Sequence, residues 1–296
     1  MKLSIGIVGL PNVGKSTLFK LLTKAEVNIA NYPFCTIDPN VGVVPVPDER
    51  VDKLTALSKS AKKIPAVVEF YDIAGLVKGA NKGEGLGNKF LSHIREVKTL
   101  VHVLRCFGGS DIIHVENSVD PIRDLETINT ELILKDMETL EKHMEKVGKE
   151  ARAGKKEAVQ ELKVLEEVKT KLGRNEFVPE FEETPFGKNL QLLASKRQIY
   201  LLNGREADVS EALKKKLAAF ASPYVIANLG DDPSTGSINS PQASSGQDTL
   251  AQGALNALIA KAYEVLNLIS FFTTGEDETR AWTIERGAKA PQAAGV

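Results

Sequence analysis

Short, nearly continuous apolar runs alternate with amphipathic stretches along most of the chain. Residues 3–8 (Leu-Ser-Ile-Gly-Ile-Val) predict a buried strand that closes on a glycine-bounded turn. Leu18, Phe19, Leu21 and Leu22 then recur at helical spacing and predict a helix starting near Lys15. Residues 41–46, 66–72, 99–106 and 198–203 read as further strands, several of them ending in polar or glycine-rich loops. Strands alternating with helices imply an α/β fold, a mostly parallel sheet with helices on both faces. Ligands in such folds bind beyond the carboxyl ends of the strands.

Residues 129–174 follow another rule. Ile133, Met137, Leu140, Met144 and Val147 alternate steps of four and three, which is a heptad-type seam. The seam lapses at Arg152-Ala-Gly-Lys-Lys and resumes with Ala158, Leu162, Leu165 and Leu172. Two antiparallel helices forming a charged, projecting hairpin are expected, an ordinary surface helix pair being the alternative. Residues 229–253 are rich in Ser, Gly, Asn, Gln and Asp and predict a linker. A helix over 254–268 and a strand-like piece at 280–284 follow, and that strand has no evident partner, as in a truncated module.

Composition narrows the function. The 296 residues are 42% hydrophobic, enough for a substantial core. With 38 basic and 39 acidic residues the formal charge is −1, so no global basic field points to nucleic acid, and nothing suggests sequence-specific DNA binding. Cys35 and Cys106 form neither a disulfide framework nor a metal-ligand spacing. No run approaches the ~18 apolar residues of a membrane span, and the N-terminal run is too short for a signal core. The chain reads as cytoplasmic.

Gly9-Leu-Pro-Asn-Val-Gly-Lys-Ser16 matches G-x-x-x-x-G-K-[ST] between a predicted strand and a predicted helix. In such a loop successive amides surround phosphate oxygens, Lys15 reaches the β and γ phosphates, and the Ser16 hydroxyl ligates Mg²⁺. Asn12, Val13, Gly14, Lys15, Ser16 and Thr17 are therefore the expected phosphate contacts, with a nucleoside triphosphate and Mg²⁺ as ligand and cofactor. Tyr71-Asp72-Ile-Ala-Gly75 ends a strand in Asp-x-x-Gly, so that Asp72 is expected to hold Mg²⁺ through water and the Gly75 amide to sense the γ-phosphate. Thr36, in Asn31-Tyr-Pro-Phe-Cys-Thr36, is the natural second hydroxyl ligand of Mg²⁺. A guanine reader of this class shows Asn-Lys-x-Asp after the next strand. Here stands Asn203-Gly-Arg-Glu206, without the lysine and with a longer acid, which argues against guanine selection.

Together these blocks resemble the YchF family of Obg-like ATPases. The residues that carry the resemblance are 6–19, 31–40, 72–80, 82–90, 119–129 and 271–275 through Ile284. The resemblance implies a P-loop nucleotide domain at 1–128 and 175–270, an inserted hairpin at 129–174, and at 271–296 the start of a TGS domain, a β-grasp module too incomplete here to fold alone. It also implies preference for ATP, with the base edge read largely by backbone, Asn203, Gly204 and Glu206 being the candidate contacts, and association with the ribosome (large subunit or ribosomal RNA) in translation or stress control.

The attacking water poses a separate problem. Leu76 stands where a Ras-like enzyme places glutamine, and it cannot hydrogen-bond water. His114, in the glycine-flanked segment 108–117, is the candidate to polarise that water, a surface histidine being the alternative. Asn12 suggests a K⁺ ion between the phosphates, where an arginine finger would otherwise act; the alternative is an asparagine that braces the loop. The expected activity is slow ATP hydrolysis by a molecular switch. A nucleotide-gated adaptor with incidental hydrolysis, or a GTPase, remains open.

Overall fold

The computed structural model describes residues 4–24, 40–73, 85–108, 118–231 and 247–295. The chain order is β1 (Ser4–Val8), α1 (Lys15–Thr23), β2 (Val41–Pro45), α2 (Glu49–Ser58), β3 (Lys62–Ile64), β4 (Val67–Asp72), α3 (Gly85–Glu96), β5 (Thr99–Arg105) and α4 (Pro121–Arg152). It continues through α5 (Lys156–Gly173), α6 (Pro185–Leu190), β6 (Arg197–Asn203), α7 (Glu211–Ala219), β7 (Tyr224–Ala227), α8 (Gln247–Val265), β8 (Leu268–Thr274), β9 (Glu278–Glu285) and α9 (Ala290–Ala293).

Six strands form the main sheet in the order β2-β4-β1-β5-β6-β7. All its pairings are parallel except β2 with β4. The central strands β1 and β5 are buried along their whole length, which explains their unbroken apolar runs. Parallel pairing puts the ends of β4, β1, β5, β6 and β7 on one side of the sheet, so Asp72, the 9–16 loop and Asn203 share an edge by topology alone.

Between β2 and β4 the chain makes an excursion through α2 and β3 that the hydrophobic pattern does not announce. Only Val51 of α2 is buried, so the helix has almost no apolar stripe to read. Its start is set by Asp48, whose carboxylate accepts the Arg50 amide at 3.0 Å. The excursion gives the 280–284 strand the partner it was expected to lack. β9 pairs in parallel with β3 and antiparallel with β8, forming a second sheet β3-β9-β8. Hydroxyls bind the two parts together: Ser60 Oγ lies 2.6 Å from the Gly275 carbonyl and 2.8 Å from Thr279 Oγ1, and Thr274 Oγ1 lies 2.8 Å from Ser58 Oγ.

The hairpin differs in its root. Helix α4 begins at Pro121 rather than near residue 129, because Asp120 caps it by accepting the Ile122 and Arg123 amides at 3.1 Å. Leu125, Ile128 and Leu132 are fully buried against the nucleotide domain. Further along, Ile133, Leu140 and Val147 pack with Ala158, Leu165, Val168 and Leu172 of α5. One rigid helix of about 48 Å therefore runs from the domain core to the basic turn at 153–155. Asp136, fully buried at the root, accepts the Leu193 and Ala194 amides at 2.9 and 2.6 Å. Burial raises its carboxyl to about 6 despite those bonds.

The linker reading of 229–253 is corrected at both ends. Residues 229–231 form a 3₁₀ turn in which Leu229 is buried, and α8 already begins at Gln247. Residues 232–246 lie outside the described residues.

Candidate functional site: a phosphate loop at the carboxyl edge of the sheet

The loop after β1 turns back on itself at Asn12 (φ 62°) and Gly14 (φ 107°). Gly14 is required twice over. Its φ lies in the left-handed region, and a β-carbon there would stand 2.5 Å from Asn203 Nδ2. Helix α1 starts at the next residue with no side chain capping its first turn, so its leading amides face the loop as an anion site.

Lys15 is buried, and its ammonium donates to the Leu10 carbonyl at 2.8 Å. Burial pushes its pKa down, and the nearby Asp72 carboxylate opposes that shift. Ser16 Oγ donates to Asp72 Oδ2 at 3.5 Å, bringing together the two oxygen donors expected at Mg²⁺. These hard oxygen donors suit Mg²⁺, which keeps several waters and takes the rest of its shell from substrate phosphates.

The base-reading loop departs from expectation. Asn203 ends β6 buried, and both ends of its carboxamide are engaged. Nδ2 donates to the Val13 carbonyl at 2.8 Å, and Oδ1 accepts the Leu229 amide at 3.1 Å. It clamps the phosphate loop to the turn after β7 and has little left for a base. The Gly204 amide, the candidate backbone reader, donates to the Ala227 carbonyl at 3.0 Å. Glu206 points away onto Lys214 Nζ at 2.6 Å, with 70% of its side chain exposed. In this structure the Ala227 carbonyl engages the Gly204 amide and a surface ion pair engages Glu206.

A cavity of about 710 Å³ lies against the loop, lined by Asn12, Gly14, Lys15, Ser16 and Thr17 at one end. Phe107, Asn203, Arg205, Asp208, Asn228 and Leu229 are among the residues that line the remainder. Of these the sequence reading named Asn203 alone. Phe107 follows a recognised strand, but nothing in its neighbours marks it as a cavity wall. Asn228 abuts the polar stretch taken for a linker, and Leu229 is its first residue. Arg105, fully buried, lies 4.4 Å over the Phe107 ring and supports it from beneath. The Cys106 thiol is pushed up to about 12 by burial and the Asp208 and Asp124 carboxylates, so it is no nucleophile. Thr36, Gly75, Leu76 and His114 lie outside the described residues.

A parallel-sheet domain with this loop, its lysine and a Ser–Asp oxygen pair is a P-loop nucleoside triphosphatase of the GTPase-like, Obg-like class. Residues 4–152 match the family described as "50S ribosome-binding GTPase", and residues 268–296 match the YchF-GTPase_C family, described as a protein of unknown function. The chain belongs to the YchF family. It is 46% identical over 311 residues to the Ribosome-binding ATPase YchF of Bacillus subtilis, covering 100% of this chain and 85% of that protein. Identity to the Mycoplasma pneumoniae protein of the same name is 44% over 314 residues, covering 99% and 85%. The solved YchF GTPase of Schizosaccharomyces pombe superposes with a TM-score of 0.76 at 38% identity, covering 100% of this chain and 84% of that one.

Proposed function

We propose that this protein is a slow, Mg²⁺-dependent ATP-hydrolysing switch of the cytoplasm that associates with the ribosome and modulates translation or the stress response. The carrying observation is the buried Lys15 beside the Ser16–Asp72 pair at the carboxyl edge of a parallel sheet, in a chain similar to proteins named ribosome-binding ATPases. In this reading Lys15 leaves the Leu10 carbonyl for the β and γ phosphates. The amides of Val13, Gly14, Lys15, Ser16 and Thr17 surround those phosphates. Ser16, Thr36 and Asp72 would hold Mg²⁺, Asp72 through water, and the ion would supply positive charge to the phosphates. Gly75 senses the γ-phosphate, and His114 orients the attacking water in place of the missing glutamine. Asn12 would hold K⁺, which would supply further positive charge at the phosphates.

Residues 268–296 are read as the opening hairpin of a TGS-type module, resting on the α2–β3 excursion. The GTPase reading is kept because the solved relative is described as a GTPase. Against it stands the Asn203–Glu206 loop, which lacks the lysine and carries a longer acid than a guanine reader, with Glu206 paired to Lys214. Three measurements test the proposal. Lys15→Ala is expected to abolish tight Mg²⁺–ATP binding by calorimetry, and undiminished binding would refute the site. Wild-type protein is expected to bind ATP several-fold more tightly than GTP, and the reverse order would make it a GTPase. Single-turnover hydrolysis with and without ribosomes separates a switch from an adaptor, since an adaptor shows no stimulation.

A further inference from the structure

The strand order sets the direction in which a nucleotide must lie. Asp72 ends β4, on one side of β1, and marks the metal and γ-phosphate end. The loops after β6 and β7 lie on the other side, across β5. Three strand spacings separate β4 from β6, about 14 Å, close to the length of an extended nucleoside triphosphate. The base must therefore rest among Phe107, Arg205, Asp208, Asn228 and Leu229.

Within the Asn203–Glu206 loop only Asn203 and Arg205 line that cavity, and the Asn203 carboxamide is occupied by Val13 and Leu229. Gly204 provides no side chain, and a β-carbon there would meet Cys106 Cβ at 3.1 Å, the Phe107 amide nitrogen at 3.2 Å and Asp208 Cβ at 3.3 Å. The position that carries the ring-packing lysine in a guanine reader is thus tightly packed and carries no side chain here. Arg205, one residue on, is anchored through its backbone, its amide donating to Asp208 Oδ2 at 2.8 Å while its side chain stands at the cavity. A guanidinium is planar, weakly hydrated and suited to lying on an aromatic face.

We propose that Arg205 is the purine clamp of this site, its guanidinium packing on the base in the wall that Phe107 shares. The proposal rests on the nucleotide reading above and adds a specificity determinant to it. Arg205 selects a large aromatic base over a small one, and it holds adenine and guanine alike because it reads the ring face and not the edge. Discrimination between the two then falls to groups other than Arg205.

Titration calorimetry of wild type, Arg205→Ala and Arg205→Lys with Mg²⁺ and ATP, GTP, CTP or inorganic tripolyphosphate tests this. Wild type is expected to bind ATP and GTP more tightly than CTP. Arg205→Ala is expected to lose ATP and GTP affinity by the same factor, roughly 5- to 30-fold as for a desolvated cation–π contact. Tripolyphosphate binding is expected to stay within twofold, and Arg205→Lys to fall between the two for ATP. Equal loss of ATP and tripolyphosphate would place Arg205 on the phosphates and overturn the clamp while leaving the nucleotide reading intact. Unchanged ATP affinity, or a loss confined to ATP or to GTP, would also overturn it. Failure of the wild type to bind either ATP or tripolyphosphate would overturn both readings.

Discussion

Replacing Asn203 with alanine should loosen the phosphate loop and not alter base choice. The side chain is 2% exposed and holds the Val13 carbonyl and the Leu229 amide, both on residues that are themselves buried. Truncation leaves one acceptor and one donor unpaired at about 1–3 kcal/mol each. The adjoining cavity admits water to part of the gap, so the expected net loss is about 2–3 kcal/mol. That corresponds to a fall in Tm of roughly 5–10 °C for a domain of this size. Urea and thermal unfolding followed by circular dichroism measure the loss. Calorimetry with ATP, GTP and tripolyphosphate then asks where binding is lost. Because Asn203 acts through Val13, all three ligands should weaken together by roughly tenfold or more. Unchanged stability with loss confined to ATP and GTP would refute the reasoning and return Asn203 to the base.

Other substitutions test separate parts of the structure. Gly14→Ala combines a left-handed backbone with a 2.5 Å approach to Asn203 and is expected to cost about 2–4 kcal/mol and to abolish tight triphosphate binding; wild-type affinity would contradict the loop geometry. His102, fully buried in β5 beside Tyr200, is pushed down to about 3 by burial, so the unfolded chain takes up its proton first as pH falls below about 6.5. Its contribution to stability is therefore complete above pH 6.5 and is lost as pH falls, by roughly 2–3 kcal/mol at pH 4.5, and His102→Leu should flatten that limb of a stability–pH curve. At the hairpin tip, Arg152→Glu with Lys155→Glu and Lys156→Glu should weaken ribosome co-sedimentation and reduce its salt dependence while leaving ribosome-free ATP hydrolysis unchanged. Unaltered co-sedimentation across a salt series would move the ribosome contact elsewhere.

Much of this architecture was legible because local rules dictate it. The runs at 3–8 and 99–106 read as buried strands, and the P-loop spacing placed Lys15 and Ser16 at the turn between β1 and α1. The heptad seam from Ile133 to Val147 required a paired helix. The root of that helix was not legible, because Leu125 and Ile128 pack on the nucleotide domain and not on α5, so they fall outside the seam. Helix α2 stayed hidden because burial of Val51 alone leaves no periodic stripe.

What the sequence determined by itself is the chemistry of the phosphate end, since strand, glycine turn, lysine, hydroxyl and helix are contiguous and each constrains the next. What only the tertiary structure decided is the base end, where residues far apart in sequence compete for the same few atoms. There the phosphate loop and the turn after β7 engage the Asn203 carboxamide, and the Ala227 carbonyl engages the Gly204 amide. Glu206 pairs at the surface with Lys214, one helix later. A hydrogen-bonding group can be recognised from its residue type, but whether it is free depends on which partner the fold brings to it first.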